Sequence, residues 1–256
     1  MTKSYATLSL PSPSISISIK KFAYPSSNIS LFQDLSFELK GGQWTALIGK
    51  SGVGKSTILR IMASLESMDK FSGAIHTIPE QLSLKNLISY MPQQDALLPW
   101  LDILSNIILG DRLRKQIPDL KRAKLIIEEV GLHSFAHYKP GQLSGGMRQR
   151  VSLARILYEQ KPIILMDEPF SGLDTITRLQ TQDFTWKHLR SHTVLLITHD
   201  PAEAIRLCNT VYMMSGNPTH IRKVLTLPPK KTPLPVNDPL VIEQIPRLLE
   251  RILEES

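Results

Sequence analysis

The sequence has very little cysteine, few aromatic side chains and no long apolar run. Cys208 is the single cysteine in 256 residues, so an intramolecular disulfide and a cysteine-based zinc cluster are both excluded. No apolar stretch approaches the roughly 20 residues that a membrane-spanning helix needs. The first residues also lack the apolar segment of a secretory signal. We therefore expect a cytosolic chain that reaches a membrane only through a partner.

Positive charge exceeds negative charge, because 30 Lys and Arg side chains against 23 Asp and Glu give a net charge of +7. This balance favours anionic partners such as nucleotide phosphates, an anionic membrane surface or nucleic acid, and it is equally compatible with simple solubility. Hydrophobic residues make up 42% of the chain, which is enough for a proper core. The length fits one large domain, or one domain with an inserted subdomain.

The first half of the chain has the pattern of an α/β fold after a polar start over residues 1–14. The segments ISISI (15–19) and LSFEL (35–39) alternate as half-buried strands do. The compact apolar segment WTALIG (44–49) ends on a glycine, and helical spacing follows over 55–65. A strand, a glycine loop and a helix in that order form the first unit of an α/β protein.

The middle of the chain is mostly helical in pattern. Two amphipathic segments, 101–114 and 119–132, have no strong strand between them. Apolar strand segments return at 161–169 and 193–200. We therefore predict a helical subdomain, spanning about 95–160, inserted into the α/β body.

The end of the chain predicts two closing strands and a separate helix. A short helix is expected at 202–208, and residues 211–227 resemble two strands around a turn. Five prolines in 228–239 indicate a linker. The final segment, 239–255, is amphipathic, and we expect Pro246 to bend or break its helix.

A glycine-rich loop provides the strongest chemical signal in the sequence. GKSGVGKS (49–56) fits the pattern G-x-x-x-x-G-K-[ST], in which backbone N–H groups form a nest for phosphate. Lys55 is expected to reach the β- and γ-phosphates, and the Ser56 hydroxyl to bind Mg²⁺. The alternative, a glycine-rich surface turn, does not explain the strand before the loop or the helix after it. The expected phosphate-binding residues are Gly49, Lys50, Ser51, Gly52, Val53, Gly54, Lys55, Ser56 and Thr57.

The segment IILMDEP predicts the second half of this site. Its apolar residues indicate a buried strand with Asp167 at the carboxyl end, where open α/β sheets place their sites. We expect Asp167 to hold Mg²⁺ through water. Glu168 points elsewhere and is a candidate to polarise an attacking water. An acidic turn at a strand end is the alternative.

Five further segments occur in order along the chain and suggest a family. They are KKFAY (20–24), YMPQQDALLPW (90–100), LSGGMRQR (143–150), FSGLD (170–174) and ITHD (197–200). Together with the glycine loop, they resemble the adenine-stacking aromatic, Q-loop, signature, D-loop and switch histidine of the ATP-binding subunits of ABC transporters. The resemblance covers about residues 15–227. It implies an α/β P-loop NTPase fold with a mixed central sheet, an N-terminal antiparallel β-subdomain and the inserted α-helical subdomain.

The resemblance also implies a site shared between two molecules. In this family two ATPase subunits pair head to tail, and each ATP lies between the P-loop of one and the signature motif of the other. Ser144, Gly145 and Gly146 would then bind the γ-phosphate of the partner's ATP. Asp174 would lie across the dimer interface.

The same resemblance implies the remaining roles. Glu168 would be the catalytic base, and His199 would stabilise the γ-phosphate and hold the water. Gln93 would bind Mg²⁺ and report on the membrane subunit, although Gln94 beside it is a second candidate. Tyr24 would stack on adenine, with Phe22 and simple core packing as alternatives.

Several residues of these motifs have no assigned role or depart from the family pattern. Arg148 and Arg150 have none, and a solvated helix face would account for them. Gln43 stands where the family usually has an acidic residue, and Gly172 replaces the usual alanine of the D-loop. Neither departure removes a catalytic group.

The resemblance is to a particular kind of ABC protein. The segment LLPW after the Q-loop resembles the corresponding segment in the ATP-binding subunits of importers of nitrate, sulfonates, taurine and pyrimidine precursors. The function that this resemblance implies is ATP hydrolysis that powers solute import. Expected partners are a second copy of the chain, membrane permease subunits and, indirectly, a solute-binding protein, with no nucleic acid. The expected location is the cytoplasmic face of the inner membrane. The alternative is a non-transport ABC ATPase of DNA repair or translation.

The expected domains are an ATPase domain over 15–227 and a linker with a C-terminal helix over 228–256. We also expect the apolar residues Leu97, Leu98, Pro99 and Trp100 to be exposed for docking on a permease, with packing inside the subdomain as the alternative.

Overall fold

The computed structural model describes residues 12–26, 29–66, 69, 71–80, 84–228 and 233–254, with the side chain of Lys85 left out. Most of the predicted loose start and part of the linker therefore lie outside the described residues. The strands are β1 (Ser14–Phe22), β2 (Phe32–Leu39), β3 (Trp44–Gly49), β4 (Phe71–Ile78), β5 (Ile88–Met91), β6 (Ile163–Asp167), β7 (Thr193–Ile197), β8 (Thr210–Ser215) and β9 (His220–Thr226). The helices are α1 (Lys55–Met62), α2 (Ile103–Ile107), α3 (Leu109–Leu113), α4 (Leu120–Glu129), α5 (Gly145–Glu159), α6 (Thr175–Leu189), α7 (Pro201–Leu207) and α8 (Pro239–Glu254).

The strands form two sheets, and both confirm the predicted fold class. The larger sheet has the order β5-β6-β7-β3-β8-β9, in which β9 pairs antiparallel with β8 and the other pairings are parallel. The smaller sheet is antiparallel, with the order β2-β1-β4. The carboxyl ends of the parallel strands meet at one edge, which is where α/β proteins place their sites.

Hydrophobic patterning explains why each sheet lies where it does. Both β6 and β7 are buried along their whole length, as parallel strands covered on both faces must be. In β1, Ile15, Ile17 and Ile19 alternate inward and are 0–1% exposed. They share a core with α1 and one face of the larger sheet, while α6, α7 and α8 cover its other face.

The predicted helical subdomain is present between β5 and β6. Its own core joins α2, α4 and α5 through residues that include Ile103, Ile107, Ile127 and Val151. The segment 95–140 contains no strand, as predicted. The helix predicted over 101–114 is divided into α2 and α3 at Ile108, with hydrogen bonds in the helical pattern on both sides of that residue.

Two expectations about individual elements are wrong or incomplete. The prediction omitted β4 and β5, because β4 has no clear alternation and β5 is only four residues long. The C-terminal helix does not break at Pro246, since α8 continues through it. Val241 and Leu248 on α8 are buried in the core with residues of α7, and this packing offsets the hydrogen bond that the proline cannot make.

Candidate functional site

The glycine-rich loop lies between the end of β3 and the start of α1, at the carboxyl edge of the larger sheet. Gly54 precedes the helix with φ 101°, a conformation that favours glycine. A Cβ on Gly54 would lie 2.7 Å from the Phe32 ring, so the position excludes any side chain. The helix begins with no side-chain cap on its first N–H groups. These donors and the positive end of the helix dipole form an anion-binding site.

Lys55 lies across this loop. Its Nζ donates to the carbonyl oxygens of Gly49 and Lys50, each at 2.8 Å, and the residue is 8% exposed. Burial lowers the pKa of the Lys55 ammonium, and the negative charges of Glu168 and Asp167 oppose that shift. A phosphate oxygen that reached Nζ would therefore meet a poorly hydrated ammonium group, which strengthens their attraction.

Asp167 ends β6 and contacts the first turn of α1. It is 3% exposed and accepts a hydrogen bond from the Ser56 side chain. Burial raises the pKa of the Asp167 carboxyl; the Ser56 hydrogen bond lowers it, Glu168 adds to the rise and Lys55 opposes it. The structure therefore brings together two side chains predicted to bind a cation, Ser56 at the start of α1 and Asp167 at the end of β6.

Glu168 brings three segments of the chain together. Its Oε2 lies 3.2 Å from Nε2 of Gln93 and 3.4 Å from Nδ1 of His199. The Glu168 backbone has φ 49°, in the left-handed region that non-glycine residues rarely adopt. The contact is made by Gln93 rather than by its neighbour, which favours the first of the two candidate glutamines.

Tyr24 and Phe22 occupy different environments. Phe22 is 0% exposed and belongs to the core, whereas Tyr24 is 36% exposed. The Tyr24 hydroxyl lies 2.6 Å from Oγ1 of Thr57, on the helix that follows the phosphate loop. Its ring packs edge-on against Phe22, with centroids 5.4 Å apart. Tyr24 is thus the aromatic residue beside the loop that a ligand can reach.

The signature segment forms the exposed start of α5. Ser144 is the N-cap, and its Oγ accepts a hydrogen bond from the Met147 N–H at 3.2 Å. A Cβ on Gly146 would lie 2.9 Å from a methyl group of Leu173. The paired glycines therefore allow both an open helix terminus and close packing against the D-loop segment.

The arginines after the signature glycines are not a solvated face. Arg148 contacts Asp95 through Nε and Oδ2 at 2.8 Å and donates to the carbonyl of Leu143 at 2.9 Å. Arg150 donates to the carbonyl of Val130 at 3.1 Å. Both arginines therefore connect α5 to the chain segments that carry Asp95, Leu143 and Val130.

The segment Asp95–Ala96 is held by α5 at further points, which the sequence analysis missed. The Asp95 carbonyl accepts hydrogen bonds from Ser152 at 2.7 Å and from Arg155 at 3.2 Å, and Arg155 also donates to the Ala96 carbonyl at 3.0 Å. We call this set of contacts, together with Arg148, the Q-loop clamp. Its position two residues after Gln93 was the one signal for Asp95 in the sequence.

The D-loop segment leads directly into α6. Asp174 is exposed and caps the helix by accepting a hydrogen bond from the Thr177 N–H at 3.1 Å. Gly172 has φ 74°, which accounts for glycine at a position where alanine was expected. The cap therefore fixes Asp174 at the start of α6, while the residue remains exposed on the surface of the chain.

The apolar residues after the Q-loop are only partly exposed. Leu97 is 8% exposed and packs in the helical core, so the expectation for this residue is wrong. Leu98 is half-buried, whereas Pro99 and Trp100 are exposed, Trp100 by 66%.

None of the helices in the described part of the chain has both the length and the apolar character that crossing a bilayer requires.

A nucleoside triphosphate is a ligand that uses these groups together: an N–H nest, a lysine, a hydroxyl with a carboxylate, and a second carboxylate beside a histidine. The fold and the site thus define a P-loop nucleoside triphosphatase. Within that class the chain belongs to the ABC transporter family, whose family model matches residues 32–171. It is an ATP-binding chain with the ATPase fold of that family.

Curated relatives are similar over most of their length. An aliphatic sulfonates import ATP-binding protein, SsuB 2 of Pseudomonas syringae pv. tomato, is 39% identical over 214 residues, which are 83% of this chain and 87% of that protein. A formylaminopyrimidine import ATP-binding protein, ThiZ of Halalkalibacterium halodurans, is 37% identical over 215 residues, or 81% and 82%. The solved dimer of the ATP-binding cassette MJ0796 with ADP and Pi has a TM-score of 0.71 and 27% identity, covering 84% of this chain and 99% of that one.

Proposed function

We propose that this chain is the ATP-hydrolysing subunit of a membrane importer and works as a head-to-tail dimer. One observation carries the proposal: Glu168 lies within 3.4 Å of both Gln93 and His199, beside a phosphate loop closed by Lys55. A carboxylate between an amide and an imidazole can orient a water molecule and accept its proton. In this arrangement Glu168 is the general base, and His199 holds the water and the γ-phosphate.

ATP contacts the residues around the loop in this proposal. The backbone of Gly49–Thr57 and the Lys55 ammonium bind the phosphates, and Tyr24 stacks on the adenine ring. Lys55 would exchange its bonds to two loop carbonyls for phosphate oxygens. Residues 15–227 would form the ATPase domain, with the helical subdomain over about 95–160, and 228–256 the linker and C-terminal helix.

The residues around Asp167 also fit Mg²⁺. A hydroxyl, an amide oxygen and a carboxylate, from Ser56, Gln93 and Asp167, are the hard oxygen ligands that this ion prefers. The hydrogen bond between Ser56 and Asp167 brings two of them together, and burial disfavours the ionised Asp167 until a cation is near. When bound, Mg²⁺ supplies positive charge to the phosphate oxygens.

The second half of each site would come from the other subunit. Ser144 and Gly145 are exposed at the start of α5, and the helix terminus offers free N–H groups to a phosphate. We assign Ser144, Gly145 and Gly146 to the γ-phosphate of the partner's ATP and Asp174 to the dimer interface. The similarity to a cassette solved as a dimer with ADP and Pi supports the dimer in this proposal.

A permease would dock on exposed apolar residues of the helical subdomain. Besides Pro99 and Trp100, the end of α3 exposes Leu113 by 74%, the following connection Ile117 by 97% and the start of α4 Leu120 by 49%. Apolar residues grouped in this way usually mark an interaction site. Peripheral attachment to the cytoplasmic face of the inner membrane follows, and a solute-binding protein would choose the solute. The relatives' names point to sulfonates or formylaminopyrimidine as solute classes.

A Glu168→Gln variant tests the proposal. It keeps the shape of the site but removes the base, so we expect ATP binding without turnover and a stable ATP-bound dimer in light scattering with Mg²⁺. The wild-type chain, which hydrolyses its ATP, is the control and should return to monomers. A variant that stays monomeric at high concentration with ATP would contradict the composite site.

A further inference from the structure

Glu203 is a buried carboxylate directly behind the switch-histidine segment. It is 6% exposed, and its Oε2 accepts a hydrogen bond from the Thr198 hydroxyl at 2.6 Å. Its Oε1 accepts one from Nε2 of Gln182 at 2.9 Å. Burial raises the pKa of the Glu203 carboxyl, and the Thr198 hydrogen bond opposes that shift. Because burying a carboxylate is unfavourable, both oxygens need these partners, and the partners' positions are fixed in return.

The Thr198 hydroxyl links Glu203 to both sides of His199. It donates to Glu203 and accepts a hydrogen bond from the Asp200 N–H at 3.0 Å. Thr198 is 1% exposed, whereas the His199 side chain is 67% exposed. The exposed imidazole therefore projects from a backbone segment whose two neighbouring residues, Thr198 and Asp200, are held by hydrogen bonds.

The other end of this connection reaches the D-loop. Gln182 lies on α6, the helix that Asp174 caps, and its Oε1 accepts a hydrogen bond from Arg206. A second connection runs parallel to the first: Arg178 of α6 donates to the Leu173 carbonyl at 3.0 Å and lies 3.9 Å from Oδ2 of Asp200. The D-loop helix and the His199 segment are thus joined at two points.

We propose that Glu203 is a positioning residue for His199, and that the connection Gln182–Glu203–Thr198 transmits the position of the D-loop to the imidazole. This inference rests on the proposed function, in which the D-loop contacts the second subunit. Closure of the dimer holds the D-loop and α6 against the second subunit, and the hydrogen bonds of this connection carry that restraint to the His199 backbone. Hydrolysis responds to closure because a displacement of α6 would shift the Thr198–Asp200 segment that carries the histidine.

A Thr198→Val variant of the full chain tests the connection, since valine keeps the shape and removes the hydroxyl. We expect kcat for ATP to fall by about tenfold, the effect of losing one hydrogen bond to a charged group. KM should stay close to the wild-type value, because the phosphate loop is unchanged. Thr198→Ser keeps the hydroxyl and should restore kcat. Thr185→Val is the matched control: its buried hydroxyl bonds the Thr181 carbonyl within α6, and its loss should leave kcat unchanged.

A second measurement separates positioning from general stability. In a His199→Ala background, Thr198→Val should produce no additional loss in single-turnover hydrolysis, because the residue it positions is gone. Unchanged kcat in Thr198→Val, an equal loss in Thr185→Val, or losses that multiply with His199→Ala would each overturn the inference. If the wild type hydrolyses ATP and Glu168→Gln does not, the proposed function is supported, and this holds for any result with Thr198→Val. A wild-type chain without turnover overturns both.

Discussion

At the scale of single residues, Asp167 shows how a site prepared for a cation affects the stability of the empty protein. Burial raises the pKa of this carboxyl, so the ionised form is disfavoured in the folded state. Its contribution to stability is present below the unfolded pKa and is lost as the pH rises through the folded value. At neutral pH the charge of Asp167 therefore destabilises the nucleotide-free chain.

We predict that Asp167→Asn stabilises the chain without nucleotide, by about 1 kcal/mol or a Tm increase of a few degrees. The asparagine oxygen can still accept the Ser56 hydrogen bond. Thermal unfolding at pH 7 without ATP measures the change, and the gain should shrink as the pH is lowered towards about 4. Added Mg²⁺ and ATP should raise the Tm of the wild type by more than that of the variant. A lower Tm for the empty variant would contradict this account.

Tyr24 is the second residue whose role a single exchange can test. Tyr24→Phe removes the contact with Thr57 and keeps the ring, so ATP affinity should change little. Tyr24→Ala should weaken ATP binding by about tenfold, because stacking of one base on an aromatic ring contributes roughly 1–3 kcal/mol. Calorimetric titration with ATP measures both variants. Wild-type affinity in Tyr24→Ala would mean that adenine does not stack there.

At the scale of elements, the Q-loop clamp fixes the helical subdomain to the segment that carries Gln93. Ala96 has φ 46°, which is unfavourable for alanine and persists because neighbouring carbonyls are held by Ser152 and Arg155. The clamp therefore keeps α5, and with it Ser144, in register with the Q-loop. A displacement of α5 will also displace the Q-loop, and the reverse.

We predict that Arg155→Ala lowers the free energy of unfolding by about 2 kcal/mol, because the Ala96 carbonyl loses its donor and the Asp95 carbonyl keeps only Ser152. Urea denaturation of the full chain measures the change. Arg112→Ala provides the control, since Arg112 lies exposed on α3 and its loss should change stability by less than about 0.5 kcal/mol. Equal stability of the two variants would show that the clamp contributes little.

The sequence predicted those elements whose pattern is local. β1, β3 and the phosphate loop follow from alternation, an apolar run and the spacing of Gly49, Gly54 and Lys55. By contrast, β4 is an edge strand with a mostly exposed pattern, and its pairing with β1 decides its conformation. The contacts of Arg148 and Arg155 with Asp95 and Ala96 span 53 to 60 positions. Only tertiary structure brings such residues together, so their role could not be predicted.

At the scale of the whole molecule, the proposed dimer gives each chain two half-sites, and the same partner completes both. The phosphate loop with Lys55 forms one half, and the exposed start of α5 with Ser144 forms the other. In a head-to-tail dimer, each ATP uses the loop of one chain and the helix terminus of its partner. A loop defect in one chain and a helix-terminus defect in the other therefore fall in the same site of a mixed dimer and leave its second site complete.

We predict that a Lys55→Ala chain and a Ser144→Arg chain, each inactive alone, regain ATP hydrolysis when mixed. Half of the dimers in an equal mixture contain both chains, and each of these has one complete site, so independent sites give about a quarter of wild-type turnover. Ser144→Arg alone should still bind ATP as the monomer, because its own loop is intact. The matched control is a mixture of Lys55→Ala with Ser56→Ala. Both defects then lie in the phosphate loop, every site of the mixed dimer is incomplete, and phosphate release should stay at background. Absence of recovery in the first mixture, with mixed dimers confirmed by light scattering and differential tagging, would contradict a site shared between two chains.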